Sequence, residues 1–339
     1  MSARPHIGID IGSTAIKVVE LAPTGKNSWR LLAAASMPSP IGTVLANLSN
    51  LGPISDAVTR LLKESGVKTR QVVAALPEEQ ISSHIVEMPV LSDTEVEQAL
   101  QWQVEQYIPI PQDQAVWSHK VISRDNTGGV EVLLVAAAKN LVDGYRQILE
   151  HAGLEVVALE TELMATARAE VMPGTPLSVV ADIGSASTDL GVVRDGELIF
   201  ARTIPTAGEA FTRAIESSLG LDTAQANQYL HTYGFSANQL EGKLAAALQP
   251  VLAVIAGEIK KTMDFYTSKH AGVTVKQVIL SGGVATLPDI VSAISGQIGT
   301  ETIVGDPFMG VQMNDAQRKA LQGNGPFYAV SVGLAKREL

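Results

Sequence analysis

Two stretches of the chain show the same order of apolar and polar positions. Residues 7–19 and residues 179–193 each contain a short apolar run, the tetrapeptide Asp-Ile-Gly-Ser and a second apolar run. Short apolar runs on either side of a glycine predict a strand, a turn and a second strand. One copy lies at the N-terminus and the other near the middle of the chain. The pattern therefore predicts two halves built on one plan, each presenting its turn to a shared cleft.

The pattern after the first copy predicts a hairpin broken at residues 23–28, a helix at 54–64 that ends at Gly66, and a buried strand at 72–76. A smaller α+β module follows. In it Ser92 and Glu95 match a capping box at a helix start. That helix stops before the Ile-Pro-Ile-Pro sequence at 108–111, because proline cannot donate to a helical ladder. Further predictions in the module are strands at 117–123 and 130–138, a hairpin turn at 126–129 and a helix at 141–152.

The second part of the chain continues the alternation of strands and helices. Residues 154–170 are predicted as a helix-bearing connection between the halves, with a boundary at 173–176. Further predictions are a hairpin turn at 194–197, helices between 208 and 270, a strand with a diglycine turn at 278–283, and a helix at 327–335 that packs back on the first domain. The apolar stretch at 244–255 contains Gln249 and Pro250 and is too short to span a bilayer, so it is predicted to be a core helix.

Composition narrows the possible functions. A length of 339 residues exceeds what one hydrophobic core usually serves, so two domains are expected. The net charge of −10 disfavours nucleic acid as a partner. The absence of cysteine excludes disulfides, thiolate metal sites and thiol catalysis, and is compatible with a cytoplasmic location. The six histidines include no His-x-x-x-His pair, so no zinc site is expected. The first residues lack the apolar stretch of a signal peptide, so secretion is not expected either.

The two glycine turns carry the candidate chemistry. Converging backbone N–H groups hold a polyphosphate well, and only small residues allow the main chain to approach it closely. Such residues are Gly12, Ser13 and Thr14 in the first turn and Gly184, Ser185, Ser187 and Thr188 in the second. Lys17 either adds a positive charge near the phosphates or faces solvent. A single Asp-x-Gly is more often an ordinary β-turn, so the prediction depends on the matched pair and the later Ser-Gly-Gly at 281–283. No P-loop or Gly-x-Gly-x-x-Gly fingerprint is present.

Two carboxylates end the strands that precede these turns. Asp10 and Asp182 are therefore predicted to face each other across the cleft. Mg²⁺ prefers oxygen ligands and retains several waters, so this pair is typical of a magnesium–nucleotide site in which the carboxylates hold the metal through water.

These residues, in this order, resemble the five motifs of the actin, Hsp70 and sugar-kinase superfamily. The motifs are phosphate-1 at 10–17, connect-1 at 162–168, phosphate-2 at 182–188, adenosine at 282–288 and connect-2 at 330–336. Within that group the chain resembles the PilM family, FtsA-like proteins of type IV pilus machinery. The segments that carry this closer resemblance are 5–21, 103–109, 204–215, 258–266 and 306–308.

The resemblance implies an α/β, actin-like (ribonuclease H-like) duplicated two-domain fold with an inserted 1C subdomain of the FtsA/PilM type. The implied bounds are 1–85 and 154–174 for subdomain 1A, 86–153 for 1C, 175–215 and 275–314 for 2A, 216–274 for 2B, and 315–339 for a C-terminal return to 1A. The implied cofactors are ATP and Mg²⁺. To the turn residues it adds the nucleotide contacts Gly208, Glu258, Lys261, Gly282, Gly283 and Ala285.

Several of these assignments have alternatives. Glu258 and Lys261 lie three residues apart on a helix and equally suit a solvated charge pair. Glu162, at connect-1, is the candidate for positioning water against a γ-phosphate, but it equally suits a solvent carboxylate or a metal–water contact without turnover. The chain also departs from the family pattern with Ala207 and Glu209, where Gly and Asn are usual, and it lacks the Asp-Tyr usually found near residues 117–119.

The resemblance implies a scaffold in which a bound nucleotide holds the two halves closed and so fixes a surface for partners. The implied partner is the cytoplasmic N-terminal tail of a PilN-like membrane protein, received near residues 85–110 in a groove that includes Ile85, Trp102, Tyr107 and Ile108. Alternatively, these apolar residues seal the module onto its neighbour. Other pilus platform proteins are further expected partners, and self-association is left open. The expected location is cytoplasmic and peripheral to the inner membrane, without direct insertion.

Three rival functions are weighed against the scaffold. A small-molecule kinase of the same superfamily is the main alternative, although no separate Asp-bearing loop can be assigned to its acceptor site. A membrane-tethered filament protein is disfavoured because residues 335–339 follow connect-2 directly. An Hsp70-type chaperone is disfavoured by length.

Overall fold

The computed structural model describes residues 5–40, 51–125, 129–236, 238–270 and 272–339. Within these residues the strands form a six-stranded sheet, a five-stranded sheet and a three-stranded sheet. The strands are β1 Ile7–Ile11, β2 Ala15–Gly25, β3 Ser28–Pro38, β4 Gln71–Leu76, β5 Ser82–Met88, β6 Ala115–Asp125, β7 Gly129–Ala138, β8 Glu155–Thr161, β9 Ser178–Ile183, β10 Thr188–Arg194, β11 Glu197–Ile204, β12 Gln277–Ser281, β13 Glu301–Val304 and β14 Val311–Gln312. The helices are α1 Gly52–Ser65, α2 Asp93–Tyr107, α3 Lys139–His151, α4 Glu162–Glu170, α5 Gly208–Leu219, α6 Thr223–Tyr233, α7 Lys243–Lys269, α8 Ile290–Ile298, α9 Asp315–Leu321 and α10 Ala329–Ala335.

The first sheet has the strand order β14-β3-β2-β1-β4-β8. β1 pairs antiparallel with β2 and parallel with β4, which confirms the predicted hairpin and buried strand. Alternate residues of β1 pack against α1 and α3 on one face, while α10 covers the other face. α1 ends at Gly66 with a φ of 74°, as predicted.

The second sheet has the order β11-β10-β9-β12-β13 and is covered by α5, α6, α7 and α8. Its β9–β10 hairpin repeats the β1–β2 hairpin, since both are antiparallel pairs on either side of a glycine turn. The predicted duplication is therefore present at the level of backbone pairing.

The three-stranded sheet, in the order β5-β7-β6, carries α2 on one face. α2 begins with the predicted capping box, in which the Ser92 side chain accepts from the backbone N–H of Glu95, and it ends before the first proline. The sheet spans residues 82–138, whereas α3 packs with α1 in the core of the first half. The bounds given for the inserted module stay a prediction. The predicted hairpin turn at 126–129 falls mostly on residues outside the described ones.

The structure corrects two sequence predictions. Residues 154–170 are not only helical: they form β8, a parallel edge strand, and then α4. An apolar run of this length suits either state when its neighbours are unknown. In addition, the two-residue strand β14 pairs with β3, so the chain returns to the first sheet at Val311.

The predicted core helix is longer than its apolar stretch indicated. α7 passes through Pro250 and runs to Lys269, with Leu248 and Leu252 in the core of the second half. Within the described part of the chain, residues 239–269 are the helical segment long and apolar enough to cross a membrane by length and composition. A soluble protein's core helix passes the same test.

Two short helices meet where the halves join. α10 lies so close to β1 that a Cβ on Gly8 would come within 2.0 Å of the carbonyl oxygen of Ser331. It also crosses α4 closely, since a Cβ on Gly333 would lie 1.9 Å from the carbonyl oxygen of Ala165. Glycine at these positions allows backbone-to-backbone packing.

Candidate functional site

The two glycine turns have matching geometry. The N–H of Gly12 donates to the carbonyl of Ala15 at 3.0 Å, and the N–H of Gly184 donates to the carbonyl of Ser187 at 3.0 Å. A Cβ at Gly12 would stand 3.1 Å from the first of these oxygens. Both turns are therefore tight and keep the main chain accessible, as predicted for a pair of anion-binding turns.

The carboxylates that precede the turns have different partners. Asp10 is paired in register with Lys17, whose Nζ lies 2.7 Å from its Oδ2. The Oδ1 of Asp10 is buried without a hydrogen-bond partner. Asp182 instead accepts from the hydroxyl of Thr166 on α4 at 3.0 Å and is paired in register with Asp189. The duplicated frame thus has a lysine in one half where the other half has a third carboxylate.

Lys17 is the positive charge among these groups. Burial opposes its charge, but the carboxylates, Asp10 foremost and then Asp182, outweigh that effect and raise the pKa of Lys17. Burial raises the pKa of Asp182 to about 6, against the opposing effects of Lys17 and Thr166 and with a further increase from the charge of Asp10. The predicted pair therefore lies close enough for each carboxylate to share the field of the same ammonium group.

Two glutamates extend this acidic floor. The carboxylate of Glu162, at the start of α4, accepts from the backbone N–H of Glu78 at 3.0 Å. That of Glu78 accepts from the backbone N–H of Leu163 at 3.1 Å. Burial, followed by the charge of Asp10, raises the pKa of Glu162 well above its ordinary value. Burial raises the pKa of Glu78 to about 7, and burial together with the charge of Glu78 raises that of Asp189. Protonation or an added cation would relieve this crowding.

A cavity of about 930 Å³ opens between the halves above the turns. Six of the predicted residues line it: Thr14, Lys17, Gly184, Ser185, Gly208 and Gly283. Six others that the sequence did not single out also line it: Glu209, Arg213, Glu216, Asn227, His231 and Phe327. Most of these project from α5 and α6, whose helical pattern gave no chemical signal.

The departure from the family pattern at Glu209 has a structural partner. Its backbone N–H donates to the carbonyl of Ser185 at 2.9 Å, and its carboxylate accepts from the Ser185 hydroxyl at 3.3 Å. Arg213, one turn further along α5, pairs with it at 3.5 Å. The start of α5 is thereby attached to the second glycine turn.

The remaining predicted contacts have other surroundings. Among the described residues, neither Glu258 nor Lys261 lines the cavity; Nζ of Lys261 lies 2.7 Å from Glu258, which also pairs with Arg202 at 2.5 Å. Gly282 has a φ of 80°, and a Cβ there would stand 2.5 Å from Asp182 Oδ1. Ala285 is buried in the core of the second half.

The hydroxyl residues of the second turn bond within the protein. The hydroxyl of Ser187 donates to Asp189 at 3.2 Å, and that of Thr188 donates to the carbonyl of Thr206 at 2.7 Å. Ser13, in the first turn, is half-buried. Within the residues that the structure describes, no group of three or more His, Cys, Asp or Glu side chains could hold a metal ion directly.

The structure separates the predicted groove residues. Tyr107 and Ile108 pack with the cluster beneath α2, but Trp102 is 87% exposed. On β5, Val86 and Met88 point into that cluster, so the intervening Ile85 faces the opposite side of the sheet. These four side chains do not line one groove.

A different cavity, of about 610 Å³, lies where the three sheets meet. Its walls come from the edge strands β6 and β8, the β10–β11 turn and α4. Apolar lining residues include Trp29, Leu159, Met164, Met172 and Leu198. The sequence gave no signal for this cavity because its walls are distant along the chain.

Comparison with known proteins identifies the class first. The two duplicated halves around a cleft are the fold of the actin-like ATPases. Among curated proteins, FtsA of Enterococcus hirae is 23% identical over 332 residues, covering 84% of this chain and 74% of that protein. FtsA of Bacillus subtilis is 24% identical over 204 residues, and the match covers 54% of this chain but only 46% of that protein.

The family follows from a match to nearly the whole chain. Residues 8–339 match the model of the family described as type IV pilus assembly protein PilM, and the chain belongs to that family. A solved chain of a PilM-PilN type IV pilus biogenesis complex is 28% identical, with 97% of each chain covered and a TM-score of 0.83.

Proposed function

We propose that this chain is a cytoplasmic, ATP-binding actin-like scaffold of type IV pilus biogenesis that docks the cytoplasmic tail of a PilN-like inner-membrane protein. The observation that carries the nucleotide part is the cavity between the halves, with a tight glycine turn on either side and Lys17 in its wall. Its volume of about 930 Å³ is ample for a nucleotide.

The residues of the cleft fit a magnesium-bound polyphosphate. The backbone of Gly12 and Gly184 and the ammonium of Lys17 supply hydrogen-bond donors and positive charge to phosphate oxygens. Asp10 has a buried oxygen without a partner, and together with Asp182 it would hold Mg²⁺ through water, because the described residues offer no direct cage. The metal would neutralise phosphate charge and the charge of the buried carboxylates.

Weak or absent hydrolysis is part of the proposal. Glu162 is the candidate for positioning water, but burial and Asp10 raise its pKa well above the ordinary value. A protonated carboxyl cannot accept a proton from water, so Glu162 serves poorly as a base while this environment persists. Nucleotide binding then stabilises a closed form of the two halves instead of driving turnover.

The tail is assigned to the junction cavity instead of the α2 face. β6 and β8 are edge strands there, with free backbone hydrogen-bonding groups, and methionine and leucine side chains form the floor. An extended peptide suits such a site because a sheet edge supplies hydrogen bonds and the pockets receive alternate side chains. The likeness to a chain solved in a PilM-PilN complex supports a PilN-like partner. Binding through such a tail would make the protein peripheral to the inner membrane.

Calorimetry with ATP and Mg²⁺ tests the nucleotide part. We expect micromolar or tighter binding by the wild type and a loss of roughly 1–3 kcal/mol in Asp10→Ala and in Asp182→Ala, the scale of a charge-assisted contact. Glu258→Ala and Lys261→Ala are matched controls and should bind as the wild type does, because neither residue lines the cavity.

Three outcomes would contradict the proposal. They are a folded wild type that fails to bind ATP, aspartate variants that bind normally, and ADP release that depends on a small-molecule acceptor. The last result would indicate a kinase.

A further inference from the structure

Phe327 stands between the two halves at the mouth of the cleft. It belongs to a short 3-10 turn, Gly325–Tyr328, that leads into α10. Nζ of Lys17, in the first half, lies 4.5 Å from the centroid of its ring. The same ring reaches the second half, since its Cδ2 would be 4.0 Å from a Cβ placed on Gly283.

The backbone on both sides of Phe327 is fixed. The carbonyl of Pro326 accepts from the N–H of Gly282 in the second half at 3.3 Å. The hydroxyl of Tyr328 donates to the hydroxyl of Ser36 in the first half at 3.2 Å, and the rings of Phe327 and Tyr328 meet edge to face at 5.2 Å. Phe327 is therefore held in place by neighbours from both halves.

The contact matters because of what else surrounds Lys17. Asp10, at 2.7 Å, attracts the ammonium group back toward the strands, and the other carboxylates of the floor add to that attraction. An aromatic face attracts a cation without accepting an N–H in a directed bond. The ring thus balances the carboxylate and leaves N–H groups of Lys17 free to donate into the cavity.

We propose that Phe327 is a positioning residue that holds the Lys17 ammonium over the cleft, where it meets the phosphates of a bound nucleotide. This inference rests on the proposed function and deepens it, because it assigns the role to the π face of the ring acting through Lys17. It predicts that the size of the side chain is not sufficient and that the base of the nucleotide is not required.

The test is calorimetry with two probes, ATP with Mg²⁺ and inorganic tripolyphosphate with Mg²⁺. Phe327→Ala and Phe327→Leu should each weaken both probes by about three- to thirtyfold, the range of a partly desolvated cation–π contact. Phe327→Tyr, which keeps an aromatic face, should stay within about twofold of the wild type. In a Lys17→Met background, Phe327→Ala should cause no further loss. Thermal unfolding of each variant confirms that it is folded.

Three results would overturn the assignment. If Phe327→Leu binds as the wild type does, the ring serves only as packing. If ATP is weakened but tripolyphosphate is not, the ring stacks on the base. If Phe327→Ala costs the same factor with and without Lys17, the two side chains do not act together. Failure of the wild type to bind either probe would instead refute the proposed function.

Discussion

At the scale of single residues, the floor of the cleft combines more buried negative charge than Lys17 alone can neutralise. Asp182 and Glu78 have pKa values raised to about 6 and about 7, and those of Glu162 and Asp189 are also raised, in each case with burial as the largest cause. The native protein therefore binds protons that the unfolded chain releases near neutral pH. Stability and ligand binding both depend on how this charge is compensated.

We predict that the ligand-free protein loses stability as pH rises from 5 to 8 and that Glu78→Gln reduces this loss. The pKa of Glu78 is about 7 in the folded protein against 4.5 for the free group. Because the folded pKa is the higher one, the stabilising contribution is complete below about pH 4.5 and is lost as pH rises through 7. For a shift of this size the contribution is about 3 kcal/mol.

Urea denaturation at several pH values measures this effect. Glu79→Gln is the matched control, because Glu79 is the exposed neighbour of Glu78, and it should leave the pH dependence unchanged. A Glu78→Gln protein with the full wild-type dependence on pH would show that the buried charge is compensated in another way.

The sequence identified part of this site, and the reason is local. Asp10, Lys17 and Asp182 lie on hairpins whose strand–turn–strand pattern is visible along the chain. Glu78 and Phe327 reach the cleft only through tertiary contacts, so their neighbours in sequence carry no sign of it. Glu258 and Lys261 show the opposite case: their helical spacing was correct, but their side chains pair with each other and with Arg202 away from the cavity.

At the scale of elements, α4 links the two halves through one polar stripe. Glu162, Thr166 and Glu170 recur every four residues and so lie on one face of the helix. Thr166 donates to Asp182 at 3.0 Å, and Glu170 accepts from Ser281 at the end of β12 at 3.0 Å. Met164 and Arg168, on other sides of the helix, line the junction cavity. One short helix therefore contacts both candidate binding sites.

The crossing of α4 with α10 gives a prediction at this scale. We expect Gly333→Ala to destabilise the protein by about 3 kcal/mol or more, because its Cβ would stand 1.9 Å from the carbonyl oxygen of Ala165 and the helices must separate. Denaturant unfolding measures the change.

Gly257→Ala is the control for helix propensity. Gly257 lies inside α7 and a Cβ there meets no atom within 4 Å, so alanine should stabilise by about 0.5–1 kcal/mol. Equal stabilisation by Gly333→Ala would show that α4 and α10 do not cross as closely as described.

At the scale of the whole molecule, the junction of the three sheets decides where a partner tail can dock. The sequence placed the tail near α2, but Trp102 projects into solvent and Ile85 faces the other side of the sheet. The junction cavity combines two sheet edges with an apolar floor. Pattern analysis predicted the duplicated halves and the inserted α+β unit because periodicity is local; the cavity depends on how those units pack.

We predict that Met172→Lys weakens binding of a synthetic peptide of the PilN-like tail from the same organism by about tenfold or more, since a buried charge in an apolar floor costs over 1 kcal/mol. Trp102→Ala is the control and should leave binding unchanged. Fluorescence anisotropy with a labelled peptide measures both. Loss of binding in Trp102→Ala, with normal binding in Met172→Lys, would return the tail to the α2 face.

The position of α10 also sets an order for biosynthesis. All seven residues of this helix are buried, and it covers a face of the sheet whose central strand, β1, is made first. The second sheet and its helices come from one continuous stretch of chain, so they can fold as soon as that stretch leaves the ribosome. At about 5–20 residues per second, β1 waits on the order of tens of seconds for its cover. The half that is translated first is thus the half that matures last.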